Sequence, residues 1–369
     1  MSGAYVVLTG AKRNVGDFLI VERCTALLRQ LRPDRELRFV PSWKPLDPRA
    51  DVLRDARAIV IAGGPGYQPG FYPTVYPLCT KLAELPCPVV PLGLGWKGPG
   101  GDRYALDHYT FSEASLDALR WIAQRTPSLG CRDHLTRRVL EQHGISNVSM
   151  VGCPVWYHLP SIGKEFEPPN AVTRVVFTPA QLHSLHDQSL AVAQRIADAW
   201  PEAEKICSFH RGLDASDDFI PAADVANNHT LAERADALGF DVIDVTGDAS
   251  KLDFYDECTM HVGYRVHAHL HFLSQRKPSL LIEEDGRGAG TSDVLGVQGV
   301  PAFRPHRLGR LGRAVGRAAS AYRVDERVPA RVEKMLASDV ETQFARFASL
   351  ARTLDGHFSC MQEFIRRLP

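Results

Sequence analysis

The sequence predicts an α/β protein built of two doubly wound, Rossmann-like domains that face each other across a cleft. Two observations carry this expectation. Short runs rich in Val, Ile and Leu alternate with amphipathic stretches along nearly the whole chain, the pattern of parallel βα units. The alternation lapses once, in the proline-rich stretch Leu159 to Asn170, and then resumes. A length of 369 residues agrees, since a domain usually takes roughly 100 to 200.

In the first half, Tyr5 to Leu8, Leu37 to Val40, Ala58 to Ile61, Val89 to Leu92, Ser128 to Cys131 and Val148 to Val151 read as strands. Phe18 to Leu31 and Leu135 to His143 carry apolar residues at helical spacing. In the second half the strands are Arg174 to Thr178, Lys205 to Ser208, Asp241 to Val245, Met260 to Gly263 and Leu280 to Glu283. Leu185 to Trp200, Leu231 to Leu238 and Ala268 to Gln275 are the helices between them. The predicted organisation is a first domain over residues 1–158, a linker over 159–172 and a second domain over 173–338. A basic stretch, Arg307 to Arg313, falls within the second. A last helix, about Val340 to Arg367 within 339–369, is expected to pack back on the first domain.

Composition narrows the function. The chain is 44% hydrophobic and 23% charged, as globular chains are. Its 43 basic residues balance 43 acidic ones, so no net field favours nucleic acid or an anionic membrane, and any anion site must be local. The amino terminus lacks a signal-peptide pattern and no run approaches the roughly 18 apolar residues of a membrane span, which places the protein in the cytoplasm as an expectation. Eight scattered cysteines without a Cys-x-x-Cys pair read as reduced, structural thiols.

Ligands in doubly wound sheets bind beyond the carboxyl ends of the strands. The loop Thr9 to Asp17 offers backbone N–H groups and a helix start to an anion through Asn14 and Gly16, while Asp17 serves equally well as a helix N-cap. The turn around Gly64 permits close approach of a ligand or of the opposite domain. Gly93 to Lys97 adds a lysine and an indole, Trp96, which either stacks on a sugar or packs internally. Arg132, at a strand end aimed at the cleft, suits bidentate contact with carboxylate or phosphate; a surface ion pair explains it as well. Met260 to His271 is the richest segment: Tyr264, Arg265 and His267 fall where a strand passes into a helix, so that an arginine, an imidazole and free N–H groups converge on a small dianion. His267 and His271 share a helical face, but no Glu follows His267 and no third ligand is evident, so no metal is assigned, and His269 and His271 read as structural. Arg287, in the glycine-rich loop after the strand ending at Glu283, supplies further charge.

Asn14-Val15-Gly16-Asp17, the Gly63 to Gly66 turn, Arg132-Asp133, and Gly263-Tyr264-Arg265-Val266-His267 followed by Lys277-Pro278-Ser279-Leu280-Leu281-Ile282 occur in an order that resembles the polysaccharide pyruvyl transferase family, over about residues 5 to 300. The resemblance implies a fold similar to GT-B glycosyltransferases, with the acceptor on the N-terminal domain and the donor on the C-terminal one. It implies transfer of the enolpyruvyl group of phosphoenolpyruvate to sugar hydroxyls in polysaccharide biosynthesis, forming a pyruvate ketal with release of phosphate and no cofactor. Arg265 and His267 match the family's Arg-x-His donor motif, and Arg132 an arginine reaching the donor from the other domain. Two departures stand out: Arg287 occupies a position where many members carry lysine, and Gly286 to Thr291 is unusually rich in glycine.

The residues fit that chemistry, with His267 as general acid, Arg265 and Arg132 on the donor's anionic groups, and Asp17 orienting or deprotonating the acceptor. The partners expected are phosphoenolpyruvate and a sugar or glycan precursor, with peripheral contact to a lipid-linked acceptor left open. A nucleotide-sugar glycosyltransferase of GT-B type, its donor held by the Gly286 loop, and a non-catalytic sensor that retained the cleft are the alternatives.

Overall fold

The computed structural model describes residues 3–98, 106, 109–213, 221–305 and 322–369; Arg307 to Arg313 lie outside the described residues. In the first sheet β1 (Ala4–Thr9) is flanked by β2 (Glu36–Pro41) and β3 (Ala56–Ala62), with β4 (Val89–Leu92) beyond β3, all parallel. A bridge between Leu94 and Cys131 carries this sheet on to the parallel pair β5 (Leu129–Cys131) and β6 (Val148–Met150). Helices α1 (Val15–Leu31), α2 (Glu113–Ala123) and α3 (His134–Gln142) belong to this half. The central strands are covered on both faces, which is why Val6, Val7, Ile59 and Val60 follow one another as apolar pairs and are all fully buried.

The second sheet repeats the plan. Here β7 (Arg174–Thr178) lies between β8 (Glu204–Phe209) and β10 (Met260–Gly263). Beyond β8 comes β9 (Asp241–Asp244), and beyond β10 come β11 (Ser279–Glu283) and β12 (Val300–Pro301), all parallel. The helices are α4 (His186–Ala199), α5 (Ala222–Asp236), α6 (Val266–Ser274) and α7 (Gly286–Leu295). A short antiparallel pair, β13 (Phe303–Pro305) and β14 (Tyr322–Val324), precedes α8 (Val328–Glu341) and α9 (Leu350–Arg366).

Each sheet has a point where the chain, having built outward on one side, returns to the other: between β1 and β3 in the first, between β7 and β10 in the second. Loops diverge there and leave a crevice. Backbone bonds from Val15 N–H to the His210 carbonyl (3.2 Å) and from Gly247 N–H to the Arg13 carbonyl (2.8 Å) join the two halves beside these crevices.

The strands fall within a residue or two of the expected ranges, but the helices differ: α2 is additional to the expected ones, the glycine-rich segment Gly286 to Thr291 that carries Arg287 is the first part of α7 and not a loop, and three others have different bounds. The first begins at Val15, which puts Asn14 at its N-cap position and Asp17 inside its first turn, not at the cap. The fifth begins at Ala222, well before Leu231. The expected single helix from Val340 to Arg367 is two, because Gln343 and Phe344 take φ of 50° and 58° and end α8. The second of these, α9, returns to the first sheet: the Tyr5 hydroxyl donates to the Pro369 carbonyl (2.8 Å) and Arg32 donates to the Leu368 carbonyl. The proline-rich stretch is packed rather than extended into solvent; Leu159, Ile162 and Phe166 lie against the core, and Phe166 stacks on Phe347 at 5.3 Å.

Candidate active site

At the second crevice, Gly263 (φ 155°) ends β10 with its Cα against Thr178, where a Cβ would stand 2.7 Å from the Thr178 nitrogen. Only glycine fits so close a crossing. The chain then turns into α6, with Arg265 at its N-cap position and its N–H donating to Thr178 Oγ1 (3.3 Å). The Arg265 guanidinium donates through Nη1 to Gln181 Oε1 (2.7 Å), while its buried Nε has no partner. Burial lowers its pKa to about 10, with Glu284 working in the opposite direction. Glu284, just past β11, accepts from Gln181 N–H (3.0 Å), and burial raises its pKa despite Arg265. Asp285 caps α7 by accepting from Arg287 N–H (3.0 Å) and from Arg287 Nε (2.9 and 3.0 Å).

These groups enclose an inner chamber of about 30 Å³, lined by Asn14, Gln181, His210, Tyr264, Arg265, Val266, His267, Glu284 and Arg287. That is room for about a water or two. Through Asn14, Gln181 and Arg287 it adjoins an outer chamber of about 260 Å³ at the first crevice, where Asp17, Ser42, Gly64, Gln68, Tyr76, Lys97 and Arg211 contribute to the wall. Arg265, Arg287, Arg211 and Lys97 therefore surround adjoining spaces, against Asp17 and Glu284. The first residues of α6 add backbone N–H groups at a helix N-terminus.

Of the residues singled out in the sequence, Asn14, Asp17, Gly64, Arg265, His267 and Arg287 line the chambers. Gly16 does not; its Cα rests on the His267 ring, and a Cβ would overlap that imidazole. Arg132 is not aimed into the cleft either. It is fully buried beneath Gly95 and Trp96, donating through Nε to Asp133 Oδ2 (3.2 Å), with Nη1 unpartnered. Its charge nevertheless reaches His267. Tyr264 borders the inner chamber, but its hydroxyl donates to Gln188 Oε1 (2.9 Å), whose amide donates to the carbonyls of Ala302 and Asp325, so that hydroxyl is committed to the core. Trp96 is buried against Gly286 and edge-on to Tyr109, which closes it to a stacking sugar. Gln181, His210, Arg211 and Glu284 carry no motif; all follow carboxyl ends of β7, β8 or β11, and that position is the signal in the sequence that marks them.

The Gly16 contact sets an expectation. Gly16→Ala displaces the imidazole, and a misplacement near 1 Å costs about 10²-fold in rate. Steady-state kinetics should show that loss, with thermal melting lowered by no more than an overpacked core site, about 1–3 kcal/mol, brings.

Several histidines are buried and held neutral. Burial first, then Arg287 and Arg132, lower the His267 pKa to about 3; burial and Arg346 do the same for His269, whose Nδ1 bonds Ser279 Oγ (2.7 Å). His261 joins Thr178 Oγ1 (2.8 Å) to Ser279 Oγ (2.7 Å), and burial lowers its pKa as well. Because these folded-state pKa values lie below the unfolded value near 6.5, the stabilisation they carry is complete above pH 6.5 and is lost as pH falls toward 3. At pH 5, His267 and His269 each cost about 2 kcal/mol, so the Tm should drop by roughly 5 °C between pH 7 and pH 5. Differential scanning calorimetry in the absence of ligand checks this.

Two facing doubly wound domains with an arginine-lined cleft at their switch points define a GT-B-like protein. S. aureus MnaA, in a co-structure with UDP, superposes with a TM-score of 0.55 at 10% identity, covering 97% of this chain and 94% of that one. UDP-GlcNAc 2-epimerase from Neisseria meningitidis, bound to UDP-GlcNAc, gives 0.52 at 9% identity and 98% of both chains. At such identity the likeness is one of fold. The family model for polysaccharide pyruvyl transferase matches residues 14–286, from the N-cap of α1 to the start of α7. The chain belongs to that family of transferases. No curated protein matches the sequence.

Among the described residues, no helix is long and apolar enough to cross a membrane, and no group of His, Cys, Asp or Glu side chains assembles as a metal site.

Proposed function

We propose that the chain transfers the enolpyruvyl group of phosphoenolpyruvate to a sugar diol, forming a pyruvate ketal and releasing phosphate. The observation that carries this reading is the joined pair of chambers: Arg265, Arg287 and the α6 N-terminus converge beside a buried imidazole at the inner end, which takes only part of the donor, and the outer chamber takes the rest together with the sugar. A carboxylate and a phosphate on one small molecule match a pair of guanidinium forks and free helix N–H groups. The donor sits on the C-terminal domain and the acceptor on the N-terminal one, among Asp17, Gly64, Gln68 and Tyr76.

In the reaction C3 of the donor gains a proton, C2 becomes cationic, and one sugar oxygen bonds to C2. The C2–O bond to phosphate then breaks and the second sugar oxygen takes its place. The two hydroxyl protons balance the one gained at C3 and the one leaving with phosphate. His267 stands where a proton can be given to C3. Burial, Arg287 and Arg132 favour the neutral ring, so the donor's negative charge must first offset the two arginines and draw a proton onto it. Arg132 contributes from behind the wall. No cofactor enters, the acceptor is a sugar or a glycan precursor, and the reaction belongs in the cytoplasm.

Incubation with phosphoenolpyruvate and a panel of sugar acceptors should release one phosphate per ketal formed, seen by NMR as a new quaternary carbon bearing a methyl group. The outer chamber also admits a second reading, a nucleotide-sugar donor, because two proteins of similar fold have been solved with UDP or UDP-GlcNAc bound. Tight binding of UDP-sugars together with indifference to phosphoenolpyruvate would favour it.

A further inference from the structure

Ser208 lies near the end of β8, and His210 is the first residue past it. Tyr255 reaches both. Its hydroxyl donates to Ser208 Oγ at 2.8 Å and stands 2.9 Å from His210 Nε2. A phenol has one proton. With it directed to Ser208, the oxygen offers His210 only a lone pair, so Nε2 carries the imidazole proton and Nδ1 of the neutral ring is bare. The ring is buried, yet it lines the inner chamber with Arg265 and His267. The His210 carbonyl accepts from Val15 N–H at the start of α1, which fixes the residue at the junction of the two domains. A buried imidazole with one tautomer imposed on it, facing the space where charge is handled, has more organisation than packing requires.

We propose that His210 is a second proton-transfer group of this site, acting as the base that His267 is not. The inference rests on the pyruvyl-transfer reading. As the first sugar oxygen bonds to C2, its proton passes to His210 Nδ1. That proton leaves on the bridging oxygen as the C2–O bond to phosphate breaks. The second hydroxyl then bonds to C2 and its proton restores the one His267 gave to C3. Both imidazoles end as they began, and no further reactant is needed. Asp17 serves the acceptor from the outer chamber and does not line the inner one. Tyr255 is a positioning residue that acts through His210.

The test is NMR of isotope-labelled histidine nitrogens in the full chain, with the His210 signals assigned from His210→Gln. At pH 7 without ligand, His210 should show a protonated Nε2 and a bare Nδ1. Tyr255→Phe should convert this to a mixture of tautomers with the fold retained by circular dichroism. Saturating phosphoenolpyruvate should move the His210 Nδ1 signal, and His210→Gln should leave donor affinity within about threefold of wild type while lowering pyruvyl transfer by about 10²-fold or more. A protonated Nδ1 in the free protein, or a His210 signal that stays fixed while His267 responds to the donor, overturns the proposal and leaves the pyruvyl-transfer reading standing. Absence of any response at His267 or His210 removes both.

Discussion

Replacing Arg265 by alanine is expected to lower pyruvyl transfer by about 10²–10³-fold, the loss that follows removal of one preorganised charge from a water-poor site. Its side chain is held from two sides: the backbone N–H sits on Thr178 and Nη1 on Gln181, while Nε is left without a protein partner in the chamber wall. Lysine should not restore activity. An ammonium at that position keeps a charge but not the planar fork that meets a carboxylate or phosphate with two donors. The fold should survive either change, because Glu284, already biased toward its neutral form by burial, takes up a proton when its arginine partner is gone. Circular dichroism establishes the fold and initial-rate kinetics the loss; a fully active, folded Arg265→Ala variant would remove Arg265 from the donor site.

The second large effect concerns His267 and is thermodynamic as well as kinetic. With its pKa lowered to about 3, almost no His267 is protonated at pH 7, yet a proton donor to C3 must carry one. Raising that pKa to about 7 in the complex requires about 5 kcal/mol of coupling between donor and proton, at about 1.4 kcal/mol for each unit. An anion bearing a carboxylate and a phosphate, placed against Arg287 and within the field of Arg132, is the kind of group that supplies it. Donor binding should therefore take up about half a proton at pH 7 and close to one near pH 6, measured as the dependence of binding enthalpy on buffer ionisation. In His267→Gln that uptake should vanish and transfer should fall by about 10²–10⁴-fold, with donor affinity changed far less. In the wild type, kcat should fall as pH rises through the complex's pKa, since the charged ring is then lost. Equal proton uptake in both proteins would assign the acid elsewhere.

Much of this architecture is legible in the sequence because its strands are buried on both faces. Runs such as Ile59 to Ile61 and Leu280 to Ile282 need no periodicity to be recognised, and the turns that follow them mark where a ligand can enter. Arg265 and His267 are legible for the same reason, standing between an evident strand and an evident helix. What escaped notice escaped on physical grounds. The start of α5 contains Asn227, Asn228, His229 and Thr230, weak helix formers whose placement is decided by packing. The break between α8 and α9 falls at Gln343 and Phe344, where no glycine or proline announces a left-handed turn. Gln181, His210 and Glu284 are single polar residues in separate loops, and only the juxtaposition of β7, β8 and β11 makes them one wall. Arg132 shows the converse. Its position at the end of β5 was evident, but the Gly95-Trp96 segment that buries it becomes visible only when the sheet is assembled.

Calorimetric titration of the protein with phosphoenolpyruvate tests the central claim most directly. The account predicts one donor bound per chain, with binding abolished in Arg265→Ala and unaffected by the folded Cys360→Ser control at the exposed cysteine of α9. No heat of binding in the wild type, or equal binding in Arg265→Ala, would contradict it.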